Sequence, residues 1–80
     1  LYKLMDDKVE ALEFNVKEDS KLTNVCLKDI ELRKNILIIG IIRDRKIITP
    51  EGSTEILAGD RVVVITTNKG LDDISDILAR

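Results

Sequence analysis

Hydrophobic and polar positions alternate in short blocks along the chain, and the blocks predict strands more often than helices. Val9 to Val16 sets Leu12, Phe14 and Val16 against Glu13 and Asn15, the two-residue period of a half-buried strand. Ile36 to Ile42 is an unbroken aliphatic run of mostly β-branched residues, typical of a strand covered on both faces. Asp44-Arg45-Lys46 is short enough for a hairpin loop, and Ile47-Ile48-Thr49 returns antiparallel until Pro50, which cannot donate to a ladder. Thr54 to Leu57 is a brief extended piece, Ala58-Gly59-Asp60 a turn, and Arg61 to Thr67 a further strand.

Three segments carry a helical spacing instead. Leu1, Leu4 and Met5 suggest the end of a preceding helix or linker, broken by Asp6-Asp7. Val25, Cys26, Leu27 and Ile30 suit a helix of about two turns, which Ser20 or Asn24 is placed to cap. Leu71, Ile74, Ile77 and Leu78 recur at helix period, with Asp72 and Asp73 in the first turn. The expected fold class is therefore α+β: a small, mostly antiparallel sheet with a short helix after the first strand and a helix at the C-terminus.

Composition narrows the function. Eighty residues make one domain at most, and a chain this short hides only about 60% of the surface its unfolded form exposes, so a partner chain would help it. Tyr2 and Phe14 are the only aromatics and the net charge is −2, which together argue against nucleic acid. Basic and acidic residues are interspersed, and the longest apolar run falls far short of the about 20 residues of a spanning helix, so no direct membrane insertion is expected. Cys26 is the single cysteine and histidine is absent, which removes the disulfide framework, most zinc sites and the commonest general base. No metal site, no nucleophile with a base and no catalytic residue is expected, and Cys26 fits a reducing cytosolic setting. The chain begins with Leu1 rather than Met, which suggests a piece of a longer protein.

Three stretches in order resemble the TrkA C-terminal domain, the C-terminal lobe of the RCK domain of potassium-uptake regulatory proteins. They are Val9-Glu-Ala-Leu-Glu-Phe14, Ile41-Ile-Arg-Asp44 with Ile47-Ile-Thr-Pro50, and Ala58-Gly-Asp-Arg-Val-Val-Val64. Where the family's short-helix pattern carries Gly and Lys, Asn24 and Val25 stand here, and Arg45 replaces the Gly of a usual Asp-Gly turn. Asn is the next-best residue for a left-handed turn.

The resemblance implies a cytoplasmic regulatory domain, peripheral to the inner face of the membrane through a membrane-embedded potassium transporter subunit, with residues 1–7 ending a linker from an upstream domain and 8–80 forming the domain itself. It implies a homodimer and, in some members, cyclic di-AMP bound across the two-fold. The residues matching that site are Arg33, Asn35, Ile36 and Pro50. Arg33 would meet a phosphate with a forked donor, Asn35 a phosphate or base edge, and Ile36 and Pro50 would pack an adenine. A loop that merely turns the chain into the strand explains Arg33 and Asn35 as well. Arg43-Asp44 reads as a solvated turn, and Gly59-Asp60 as turn chemistry, with Gly allowing positive φ and Asp hydrogen-bonding its own backbone. No Gly-rich phosphate loop occurs, so neither NAD nor ATP is assigned to this chain and no cofactor is expected in the domain. A dimerisation module without a ligand, or the same lobe attached to another transporter or antiporter, remains open beside the sensor.

Overall fold

In a computed structural model describing residues 2–5 and 8–79, the regular secondary structure is almost wholly strand. They are β1 (Tyr2–Leu4), β2 (Val9–Asn15), β3 (Val25–Cys26), β4 (Ile36–Arg43), β5 (Lys46–Ile48), β6 (Glu55–Ile56) and β7 (Arg61–Thr66). Five form a sheet in the order β1-β2-β7-β4-β5, antiparallel throughout, and β3 pairs with β6 in a two-stranded ribbon.

The α+β expectation is overturned. Among the described residues the only helical pieces are two 3₁₀ turns, Leu27–Asp29 and Ile74–Ile77. Competing backbone partners explain both losses. In the first segment, Asn24, Leu27 and Lys28 donate their N–H groups to Ile56, Thr54 and Gly52, so the donors an α-helix would use are committed to the ribbon side. At the C-terminus, Asp73 caps the turn and Asp76 accepts from the Asp72 and Asp73 N–H groups, as a helix start should look. The carbonyl of Ile77 is then taken by Arg33 N–H, and Ala79 N–H goes to Glu31, around a bridge between Leu32 and Leu78. A segment of about ten residues cannot hold an α-helix against such pairing, because helix nucleation is costly. Tyr2–Leu4 likewise pairs with β2 as a strand rather than ending a helix; Leu1 and Asp6-Asp7 lie outside the described residues.

The strand expectations hold closely. The hairpin closes on two residues, Asp44 and Arg45, both left-handed with φ of 51° and 66°, while Arg43 pairs with Lys46. That is the primed geometry whose twist suits a two-residue hairpin, reached here without the usual glycine. Asn24 also takes a left-handed φ of 65°, and Gly59 turns at 90° before Asp60.

One face of the main sheet carries the core. Phe14 and Val16, Ile41, and Val62 and Val64 pack with Leu22, Ile56, Leu71, Ile74 and Ile77, so the loops, the ribbon and the C-terminal turn together cover that face. A bulge in β4 lies between Ile38 and Gly40, with Ile39 as the extra residue.

The opposite face is laid out in rows by the cross-strand register: Ala11 beside Ile65 and Leu37, then Glu13 beside Val63 and Gly40, then Asn15 beside Arg61, Ile42 and Ile47. The Ile36 to Ile42 run predicts cover on both sides, and among the described residues only one side receives it.

Asp60 closes the turn as read, through Leu57 N–H, but it is also a buried anchor paired with Arg43, which the turn reading misses. Its carboxylate is 1% exposed and accepts from Arg43 Nε at 2.8 Å and Arg43 Nη2 at 2.7 Å, with Leu57 N–H at 2.9 Å completing it. Arg43 Nη2 also donates to the Glu55 carbonyl, so one guanidinium ties the end of β4 to β6 and to the start of β7. Asp44 alone of the pair Arg43-Asp44 stays an exposed turn residue.

Candidate functional site

A shallow, mainly apolar cleft of about 300 Å³ opens at the end of the uncovered face where β4 begins, lined by Val9, Asn35, Ile36, Leu37, Ile65, Thr66 and Thr67. Its floor is fixed by the turn into β4. Asn35 adopts φ 65°, and its carbonyl accepts from the Thr66 hydroxyl at 2.7 Å and from Thr67 N–H at 3.4 Å. Thr66 Oγ1 in turn accepts from Asn68 N–H, and the Asn68 amide donates to the Lys34 carbonyl, so the rim from residue 34 to 36 is stitched to the end of β7. The Asn35 side chain is exposed at this rim.

Of the four residues expected to form a ligand site, Asn35 and Ile36 meet in this cleft, while Arg33 and Pro50 do not line it. Arg33 faces the C-terminal turn: its N–H donates to Ile77 and its Nη1 to the Asp76 carbonyl at 3.1 Å. Pro50 follows β5, half-buried, on the far side of β4. Leu37, Ile65 and Val9 complete the lining and were not singled out by sequence. Leu37 and Ile65 are opposed by register on the uncovered face, a relation that depends on which strands are neighbours.

A second depression, of about 320 Å³, lies between Asn15, Lys17, Asp19, Ser20, Lys21, Asp73, Ile74 and Ser75. Three of its polar side chains, Ser20, Asp73 and Ser75, are already engaged. Ser75 donates both Oγ and N–H to Asp73, which holds that carboxyl below its ordinary value, and Ser20 Oγ accepts from Leu22 N–H. Among the described residues no group of three or more His, Cys, Asp or Glu is arranged to hold a metal ion, and no helix is long and apolar enough to cross a membrane.

The geometry thus defines a small antiparallel-sheet module with an apolar cleft and an uncovered apolar face, the equipment of a binding or assembly domain. Residues 11–79 match the family model of the TrkA-C domain, and the chain belongs to that family. It is 34% identical over 88% of its length to a Trk system potassium uptake protein TrkA homolog of Archaeoglobus fulgidus, and 32% identical over 96% of its length to the Trk system potassium uptake protein TrkA of Azorhizobium caulinodans. In both cases it spans 16% of the relative, about a sixth of a much longer protein. Among solved structures, an RCK domain described as being with cda superposes with a TM-score of 0.62 at 30% identity, covering 74% of this chain and 81% of that one.

Proposed function

We propose that this chain is a cytoplasmic regulatory domain of a potassium transport system, which senses a small effector such as a cyclic dinucleotide at a homodimer interface and thereby gates a membrane-embedded transporter subunit. Residues 8–80 are the regulatory unit, and 1–7 join it to an upstream domain. Membership of the TrkA-C family and the potassium-uptake names of its relatives support the transport context. The RCK neighbour described with cda supports an effector of that kind.

The observation that carries the reading is the cleft beside Asn35 and Ile36. At about 300 Å³ it sits at the lower limit of small-ligand pockets, a size suited to one half of a two-fold effector shared between two copies. Leu37 and Ile65 supply apolar surface for a base, and the exposed Asn35 amide supplies the polar contact at the rim. Such an effector gates by binding one arrangement of the pair better than the other. No step of this role is enzymatic.

Titration calorimetry with cyclic di-AMP and a nucleotide panel tests it. Saturable binding is expected, weakened at least about tenfold by Leu37→Asp, a change at an exposed cleft residue that leaves the core untouched. Absence of heat and of any thermal shift across the panel would remove the sensor. The uncovered apolar face favours a second reading, a dimerisation module without ligand, which such a result would leave standing.

A further inference from the structure

We propose that the buried hydroxyl of Thr66 is the positioning group of the effector site: it fixes the turn at Asn35 and so aims the Asn35 amide at a base or phosphate of a cyclic dinucleotide. This role rests on the effector reading above and adds to it a residue that itself offers the ligand no donor.

Thr66 stands where packing alone would place a valine. Along β7 the inward positions are Val62, Val64 and Thr66, exposed by 0%, 0% and 3%, and the register sets Thr66 between Glu10 and Ile36. A hydroxyl buried at the third of these positions needs partners, and it has them on both sides. Its proton goes to the Asn35 carbonyl at 2.7 Å, and its oxygen accepts from Asn68 N–H at 2.9 Å. Thr67 N–H also reaches that carbonyl, but at 3.4 Å, beyond the usual range of such bonds, so the hydroxyl is the stronger holder. With its one proton committed to the backbone, Thr66 keeps no donor for a ligand.

What the hydroxyl holds is a residue in a backbone conformation that side chains disfavour. Asn35 sits at φ 65°, where glycine is at ease and a side chain is strained. The two peptide planes that flank it are both pinned from the end of β7, the Lys34 carbonyl by the Asn68 amide at 3.0 Å and the Asn35 carbonyl by Thr66. Pinning both planes fixes the Cα–Cβ direction of Asn35 and leaves its exposed side chain to turn only about its own χ angles. A glycine would make the turn with less strain and would carry no amide. Asparagine held there by Thr66 and Asn68 is local strain of the kind kept at binding sites. The held amide stands at the rim of the cleft beside Ile36 and Leu37, and presenting it in a fixed direction lowers the ordering cost of binding.

Titration calorimetry of the chain with cyclic di-AMP provides the test, with circular dichroism melts confirming that each variant is folded. Thr66→Val keeps the volume and removes the hydroxyl; it is expected to weaken binding at least about tenfold, while Thr66→Ser, which keeps the hydroxyl, stays within about threefold of wild type. Thr66→Ala takes its place should the valine variant fail to fold. In an Asn35→Gly background, where the amide is gone, Thr66→Val is expected to add less than about twofold, because its effect passes through that amide. Should Asn35→Gly bind too weakly to titrate, the side-chain amide resonances of Asn35 in the free protein decide: one sharp pair in wild type and Thr66→Ser, broadened or split in Thr66→Val. Wild-type binding that Thr66→Val leaves intact, that Thr66→Ser fails to restore, or that Thr66→Val weakens equally with and without the amide overturns the positioning role, as do Asn35 resonances unchanged in Thr66→Val. Those results leave the effector reading standing, whereas absence of wild-type binding overturns both.

Discussion

Replacing Arg43 by alanine strips the paired cation from a carboxylate that is 1% exposed. Asp60 would keep the Leu57 N–H and lose both guanidinium hydrogen bonds, at 2.7 and 2.8 Å. Removing one partner of a buried pair costs about 3 to 5 kcal/mol, and the lower part of that range applies because Arg43 is itself 30% exposed and its loss lets water reach the carboxylate. An 80-residue chain has about 4 to 12 kcal/mol in total, so Arg43→Ala is expected to lie near the edge of folding at neutral pH.

The pH dependence identifies the cause. In the intact protein burial pushes the Asp60 carboxyl up, but the hydrogen bonds from Arg43 and Leu57 and the charge of Arg43 outweigh it and hold the carboxyl below its ordinary value. This contributes stability that is present above the unfolded pKa, about 3.9, and is lost as pH falls through the lower folded value. Without Arg43, burial governs and the folded carboxyl moves above the unfolded one. The stability difference between wild type and variant is therefore largest near pH 7 and narrows as pH falls toward about 4. Urea unfolding followed by circular dichroism across that range measures it. A difference below about 1 kcal/mol at pH 7, or one that stays constant with pH, refutes the reasoning.

Other outcomes follow from single positions. Arg45→Gly relieves a left-handed residue with φ 66° and is expected to stabilise the hairpin by about 1 kcal/mol, read as a raised unfolding midpoint. Asn35→Gly keeps the left-handed turn at φ 65° and the carbonyl that accepts from Thr66, so the melting temperature should stay within about 2 °C of wild type; a loss of effector binding in that folded variant would assign the amide to the ligand. Ile56→Ala, at a side chain with no exposed surface, is expected to cost about 2 to 5 kcal/mol in denaturant unfolding.

What the chain shows before folding and what it hides differ in physical range. Strand periodicity and turn residues act over a few positions, so β2 and the β4–β5 hairpin are readable directly, whereas the left-handed Asn24 follows only from the family resemblance, its local reading being a helix cap. The apolar spacing of Leu71, Ile74 and Ile77 is equally real, since Ile74 and Ile77 are buried, but a 3₁₀ turn followed by a bridge presents them to the core as well as an α-helix would. The decision lies with Glu31 and Arg33, about 45 residues away in sequence, whose backbone groups take Ala79 and Ile77. The Arg43 and Asp60 pair is hidden for the same reason. Each residue is a plausible turn residue locally, and only the antiparallel placement of β4 beside β7 makes them partners. For the cleft, Asn35 and Ile36 are legible as the entry to a strand, whereas Val9, Leu37 and Ile65 join them only once the strand order is known.

The bulge in β4 can be read as an insertion that leaves the message in frame. Ile36 and Ile38 point to the core in step with Thr66 and Val64, and Ile41 resumes that step opposite Val62 although it stands three positions on. Deleting Ile39 would close the alternation into a perfectly regular strand with every core residue keeping its side. The fold's interior is thus indifferent to this residue. What the deletion would remove is local twist and one aliphatic side chain from the outer surface, so selection acting on that surface has a letter it can add or drop without rewriting the core.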